Sequence, residues 1–95
     1  MYTRVSLFQF DANRLDEIAA KLSEVEPAIK KIPGIITAYI CWRGDGQAVS
    51  FAVYPSESHA EQALAQVQAV WSDVSEMLVG SPQTEIYSQG QSYST

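Results

Sequence analysis

Ninety-five residues, 46% of them hydrophobic and 18% charged, fit a folded chain with one core of limited size and exclude a disordered one. Eleven acidic against six scattered basic side chains give a net charge of −5, which disfavours nucleic acid or an anionic membrane surface as a partner. Cys41 stands alone, which excludes an intramolecular disulfide and a multi-cysteine metal site.

Tyr2 to Phe10 alternates as a strand does, with Val5 and Leu7 on one side and Arg4, Ser6, Phe8 and Phe10 on the other. That alternation, without a small-residue cleavage site, argues against a secretory signal. No apolar run approaches the ~20 residues that span a bilayer, so the expected location is the cytoplasm. Asn13 is a fitting N-cap, and Leu15, Ile18, Leu22, Val25, Ile29 and Ile32 then recur every three or four residues as one helical stripe. Pro27 is expected to kink or restart this helix, because it has no N–H for the ladder. Pro33-Gly34 ends it.

The stretch from Pro33 to Tyr54 reads as a β-hairpin around Gly44-Asp45-Gly46. A two-residue Asp45-Gly46 turn, preferred here over a three- or four-residue loop, pairs Trp42 with Val49, Ile40 with Phe51 and Ala38 with Val53, on one apolar face. Thr37, Tyr39, Cys41, Ser50, Ala52 and Tyr54 then share the opposite face. Within this strand Cys41 is expected to be a buried small hydrophobe.

Pro55 stops the hairpin, and Ser58 with Glu61 forms a capping box that starts a helix near residue 58. Ala60, Ala63, Leu64, Val67, Val70, Trp71, Val74 and Leu78 give this helix a stripe that ends before Gly80 and Pro82. Thr84 to Ser88 is a short last strand. The order β-α-β-β-α-β predicts an α+β, ferredoxin-like fold: a four-stranded antiparallel sheet with two helices on one face. We assign residues 1–89 to this domain and 90–95 to a polar C-terminal tail.

By this reading Arg4, Phe8, Phe10, Thr37, Tyr39 and Tyr54 lie on the uncovered sheet face. A solvated face would carry more Lys, Glu and Asp, so this aromatic surface calls for a partner. A second copy of the chain is the expected one, since closed symmetric dimers are the commonest assembly. An RNA-binding sheet is excluded by the acidic balance and the absence of the aromatic-basic signature on the third strand.

The element order, the Pro33-Gly34 turn and the strand ending in Tyr54-Pro55-Ser56-Glu57 resemble the dimeric α+β barrel superfamily. Within it the chain is similar to the antibiotic-biosynthesis-monooxygenase-like proteins. The resemblance implies a homodimer and a pocket between sheet and helices in each subunit. It also implies cofactor-independent oxygenation of a small aromatic molecule, or a related protein that only binds or assembles. Leu7, Gln9, Trp42, Phe51 and Trp71 are the pocket residues it suggests. Haem-degrading members carry an Asn on the first strand, a Trp on the second helix and a later His. Here Leu7 and Gln9 stand near the first position, Trp71 could match the second, and no histidine follows. No haem, other cofactor or metal is therefore expected.

His59 is the sole imidazole and, with Trp71, a candidate catalytic residue. The first turn of a helix usually leaves such a histidine in solvent, and a base would need an orienting Glu57 or Glu61. Arg4 could bind an anion or pair with Glu85. No phosphate loop, Ser-His-Asp arrangement or metal-ligand spacing is present.

Overall fold

A computed structural model describes residues 1–93. Four strands, β1 (Tyr2–Gln9), β2 (Thr37–Trp42), β3 (Gln47–Tyr54) and β4 (Gln83–Tyr87), form one antiparallel sheet in the order β2-β3-β1-β4. Three helices cover one face: α1 (Leu15–Lys30), α2 (Glu57–Gln62) and α3 (Leu64–Val74). This is the ferredoxin-like α+β arrangement expected from the element order.

The helices follow their apolar stripes, and their ends differ in detail from expectation. Asp11, not Asn13, makes the first cap: its Oδ1 accepts from the Asn13 N–H at 3.0 Å and opens a 3₁₀ turn ahead of α1. α1 runs through the exposed Pro27 as one helix, with Ile18 and Val25 buried. The second helix starts at Ser56, whose Oγ accepts from the His59 N–H at 3.4 Å, so Ser58–Glu61 is not the cap. It then breaks into α2 and α3 at Ala63, which is completely buried.

The hairpin differs most. Trp42 pairs with Ala48, Ile40 with Ser50 and Ala38 with Ala52. Arg43 faces Gln47 across a three-residue loop, Gly44 to Gly46, closed by Arg43 N–H to Gln47 O at 2.9 Å and Gly46 N–H to Arg43 O at 2.9 Å. The two-residue turn and its pairing are therefore corrected. One residue of slip carries every β3 side chain to the opposite face.

The parity of β1 is corrected with it. Phe8, Phe10 and Tyr54 are buried beneath the helices rather than on the uncovered face, and Arg4 shares their side. Phe8 and Phe10 pack with Ile18, Ala48, Val74 and Met77 in one apolar cluster. Tyr54 packs with Ile32, Ala60 and Ala63 in a second. Full burial of a Phe or Ile side chain contributes about 1.5–3 kcal/mol, which makes these placements decisive for the sheet's parity.

The uncovered face forms a grid of three rows. Cys41, Val49, Leu7 and Gln83 make the first, Tyr39, Phe51, Val5 and Glu85 the second, and Thr37, Val53, Thr3 and Tyr87 the third. Glu85 is its one charged residue. Leu7 is 43% exposed and Tyr39 63%, and Cys41, expected to be buried, is also exposed. Of the polar tail, residues 90–93 are exposed, and the remainder lies outside the described residues.

Candidate functional site

The two apolar clusters do not merge. Between them the helix-covered side of the sheet carries a polar seam. In one cross-strand row stand Ile40, Ser50, Ser6 and Thr84, and in the next Ala38, Ala52, Arg4 and Ile86. Ser6 is buried, and its Oγ lies 3.1 Å from Thr84 Oγ1. Tyr54 borders the seam from β3, diagonal to Arg4 across the β1–β3 pair.

Tyr54 Oη and Arg4 Nε are both buried without a hydrogen-bond partner among the described residues. An unpaired buried donor costs about 1–3 kcal/mol. Tyr54 is completely buried whereas Arg4 is half-buried, so this expense falls chiefly on the Tyr54 hydroxyl. The positive charge of Arg4 nearby favours ionisation of the Tyr54 phenol, but burial outweighs it and raises the phenol's pKa above 10.0. Tyr54 is accordingly a neutral O–H donor near neutrality. Among the described residues Arg4 makes no ion pair. Glu85, its suggested partner, sits opposite Val5 and projects from the other face.

All five residues of β4 are exposed, including Thr84 and Ile86 on the helix side. The β4 edge of this side is therefore open to solvent. Two surface concavities, of about 490 and 260 Å³, lie elsewhere, along residues 12–17 and between the outer sides of α1 and α3.

Aromatic edges line the seam's other end. Trp71 meets Phe8 edge-on at 4.9 Å between ring centroids, Phe8 meets Phe10 at 5.0 Å, and Phe10 meets Trp42 at 6.4 Å. Phe8 follows Ser6 on the same side of β1, and Trp71 packs on Phe8. Trp42 is at the far end of this chain of rings and 38% exposed.

The other residues singled out from sequence are dispersed. Leu7 and Phe51, assigned to a pocket, belong to the uncovered grid with Thr37 and Tyr39. Gln9 is a structural clamp, its Nε2 donating to Phe10 O at 3.0 Å and Asp45 O at 2.7 Å. His59 is exposed, with Nδ1 2.8 Å from Ser56 Oγ and its ring against Gly34. Glu57 and Glu61 make no hydrogen bond to it. Sequence reasoning missed Ser6, Ser50 and Thr84 and misplaced Arg4 and Tyr54. The available signal was the shared parity of Arg4 and Ser6 with Phe8 and Phe10, whose rings demand the covered side.

Among the described residues no group of three or more His, Cys, Asp and Glu is placed to hold a metal ion. No helix is long and apolar enough to cross a membrane.

No family model and no curated protein matches the sequence. Solved structures do match in fold. A protein of unknown function from Nitrosomonas europaea superposes with a TM-score of 0.81 at 12% identity, over 99% of this chain and 93% of that one. A Bordetella bronchiseptica protein assigned as an antibiotic biosynthesis monooxygenase gives 0.77 at 10% identity, over 95% and 97%. SnoaB, a cofactor-independent oxygenase from Streptomyces nogalater, gives 0.73 at 15% identity, over 96% and 94%. The chain therefore has the fold of the antibiotic-biosynthesis-monooxygenase-like proteins.

Proposed function

We propose that the chain is a homodimeric, cofactor-independent oxygenase that admits a small aromatic molecule to the seam between sheet and helices. The observation that carries this reading is the seam itself. A small domain gains most by filling its centre with apolar side chains, yet this one buries Ser6 and the unpaired Tyr54 hydroxyl there, with the half-buried Arg4 and Ser50 beside them. Trp71 and Phe8 supply an aromatic wall beside them. The fold shared with SnoaB supports the type of chemistry.

In such a reaction the substrate supplies every electron. An activated ring methylene reacting with O₂ gives a carbonyl and water, R₂CH₂ + O₂ → R₂C=O + H₂O. The protein's part is to hold an electron-rich form of the ring and to exclude bulk water. In this account Trp71 positions the ring, and His59 is held at the surface in the first turn of α2 by Ser56, which caps that helix.

The dimer forms through the uncovered grid. A second copy is its natural occupant, because a nearly uncharged, continuous face can meet itself about a two-fold axis. A second reading, a homodimer that binds or assembles without turnover, is favoured by the absence of accessible surface on Tyr54.

Oxygen uptake with a panel of phenolic and hydroquinone substrates separates the two. Turnover in the wild type, reduced in Trp71→Phe and kept in His59→Ala, supports the oxygenase. Uptake by none of the panel supports the binder.

A further inference from the structure

We infer that Tyr39 of each chain donates its O–H to the partner's Glu85, across a two-fold axis that runs along the strands. This rests on the homodimer reading above and adds the orientation of the two copies and the residue pair that selects it.

Glu85 is the one charged residue of the uncovered grid, and it makes no ion pair among the described residues. It stands on the edge strand β4, and the same cross-strand row runs through Val5 and Phe51 to Tyr39 on the opposite edge strand, β2. Tyr39 is 63% exposed and all of β4 is exposed, so both ends of the row are free to meet a second sheet. A carboxylate covered without a donor bears its full desolvation cost. The orientation of the dimer is therefore decided by what it brings to Glu85.

Sheets that pack face to face keep their strands nearly aligned or cross them at about a right angle. In an aligned pair with its axis across the strands, the middle row lies on itself. Glu85 then meets the partner's Glu85, and two carboxylates repel in a layer short of water. Phe51 also meets the partner's Phe51 while Val5 meets the partner's Val5, which crowds one position and leaves the other thin. A right-angled crossing carries Glu85 onto the middle strands, over Val49 and Leu7 or over Val53 and Thr3, where the grid offers no cation and one hydroxyl.

An axis along the strands reverses every row from edge to edge. Tyr39 then covers the partner's Glu85, and Phe51 covers the partner's Val5. In the flanking rows Leu7 covers the partner's Val49 and Tyr87 the partner's Thr37. Each row sets its largest side chain against a smaller one, as packed interfaces require. The carboxylate gains a phenolic donor, and symmetry makes the hydrogen bond twice.

The test is disulfide mapping in the full chain carrying Cys41→Ser, which removes the native thiol. Chains with Tyr39→Cys mixed with chains with Glu85→Cys should form a covalent pair under mild oxidation, and neither variant should cross-link to itself. Sedimentation equilibrium of single variants gives a second readout. Tyr39→Phe keeps the ring and should weaken the dimer about tenfold or more, because two hydrogen bonds to a charged group are lost. Glu85→Cys linking to itself, or Glu85→Gln tightening the dimer, overturns the pairing and leaves the dimer standing. A wild-type dimer with no cross-link in the mixture also overturns it. A wild-type monomer at micromolar concentration overturns the inference together with the homodimer reading.

Discussion

Trp42 lies directly opposite Ala48, and that pairing sets the whole sheet by giving the hairpin a three-residue loop. Gly46 closes the loop at φ +88°, and a Cβ there would stand 2.3 Å from Phe10 O and 2.6 Å from Gln9 Nε2. The backbone oxygen cannot move aside, since Phe10 is fully buried. Gly46→Ala should therefore destabilise the protein by about 2 kcal/mol or more, the sum of left-handed strain and the clash. Chemical denaturation at fixed protein concentration checks this.

Gly34 offers a contrast. It too has positive φ, +75°, but a Cβ would meet the His59 ring, at 2.6 Å from Cδ2. That ring is exposed and can swing away. Gly34→Ala should cost about 1–2 kcal/mol, close to the strain alone. Combined with His59→Ala, the two changes should be less than additive, because the second removes the obstacle for the first. A double-mutant cycle by denaturation measures the coupling.

The hairpin loop should be acid-sensitive through Asp45. Its Oδ1 accepts from the Gln47 N–H at 3.0 Å, and Arg43 Nη2 donates to Oδ2 at 2.9 Å. These contacts hold its pKa below the usual 3.8, the backbone N–H contributing most and Arg43 next. A lowered folded pKa means stabilisation that is present above about pH 4 and lost as pH falls through the folded value. Carboxyl-carbon NMR titration should show Asp45 below 3.8, and in Arg43→Ala higher but still depressed.

The Tyr54 hydroxyl predicts an alkaline limit to stability. Its hydroxyl is buried with no partner, so Tyr54→Phe should leave stability unchanged or raise it by up to about 1 kcal/mol. Burial raises the phenol's pKa above 10.0, so the folded state retains a proton that the unfolded chain loses. Stability is therefore intact below pH 10 and falls as pH rises through the folded pKa. Tyr54→Phe should lack this alkaline loss, as denaturation from pH 8 to 11 can show.

The uncovered grid predicts self-association. Tyr39 is 63% exposed in the single chain, at the edge-strand end of the middle row. Light scattering at micromolar concentration should give the mass of two 10.5 kDa chains for the wild type. Tyr39→Glu should shift it towards one. A wild-type monomer would remove the dimer from the account.

Local periodicity made the elements legible. The stripe from Leu15 to Ile32 specifies a helix regardless of what it packs on, and Ile18, Val25 and Ile32 are indeed buried. The sheet's two sides were not legible, because parity is fixed by loop length and by which side the helices take. Gly44-Asp45-Gly46 fits both a two- and a three-residue loop, and each sends Ser50 to a different side. The seam was hidden for the same reason: Arg4 and Ser6 look like surface residues until Phe8 and Phe10 are known to be buried. The burial of Ala63 in one cluster with Tyr54, where the second helix divides, depends on packing that the stripe alone does not encode.

The most direct test is a crystal structure of the protein soaked with a phenolic ligand. The account predicts density between sheet and helices, with the ligand ring against Trp71 and Phe8. A ligand held instead on the grid around Leu7, Tyr39 and Phe51, with the seam unchanged, would contradict it.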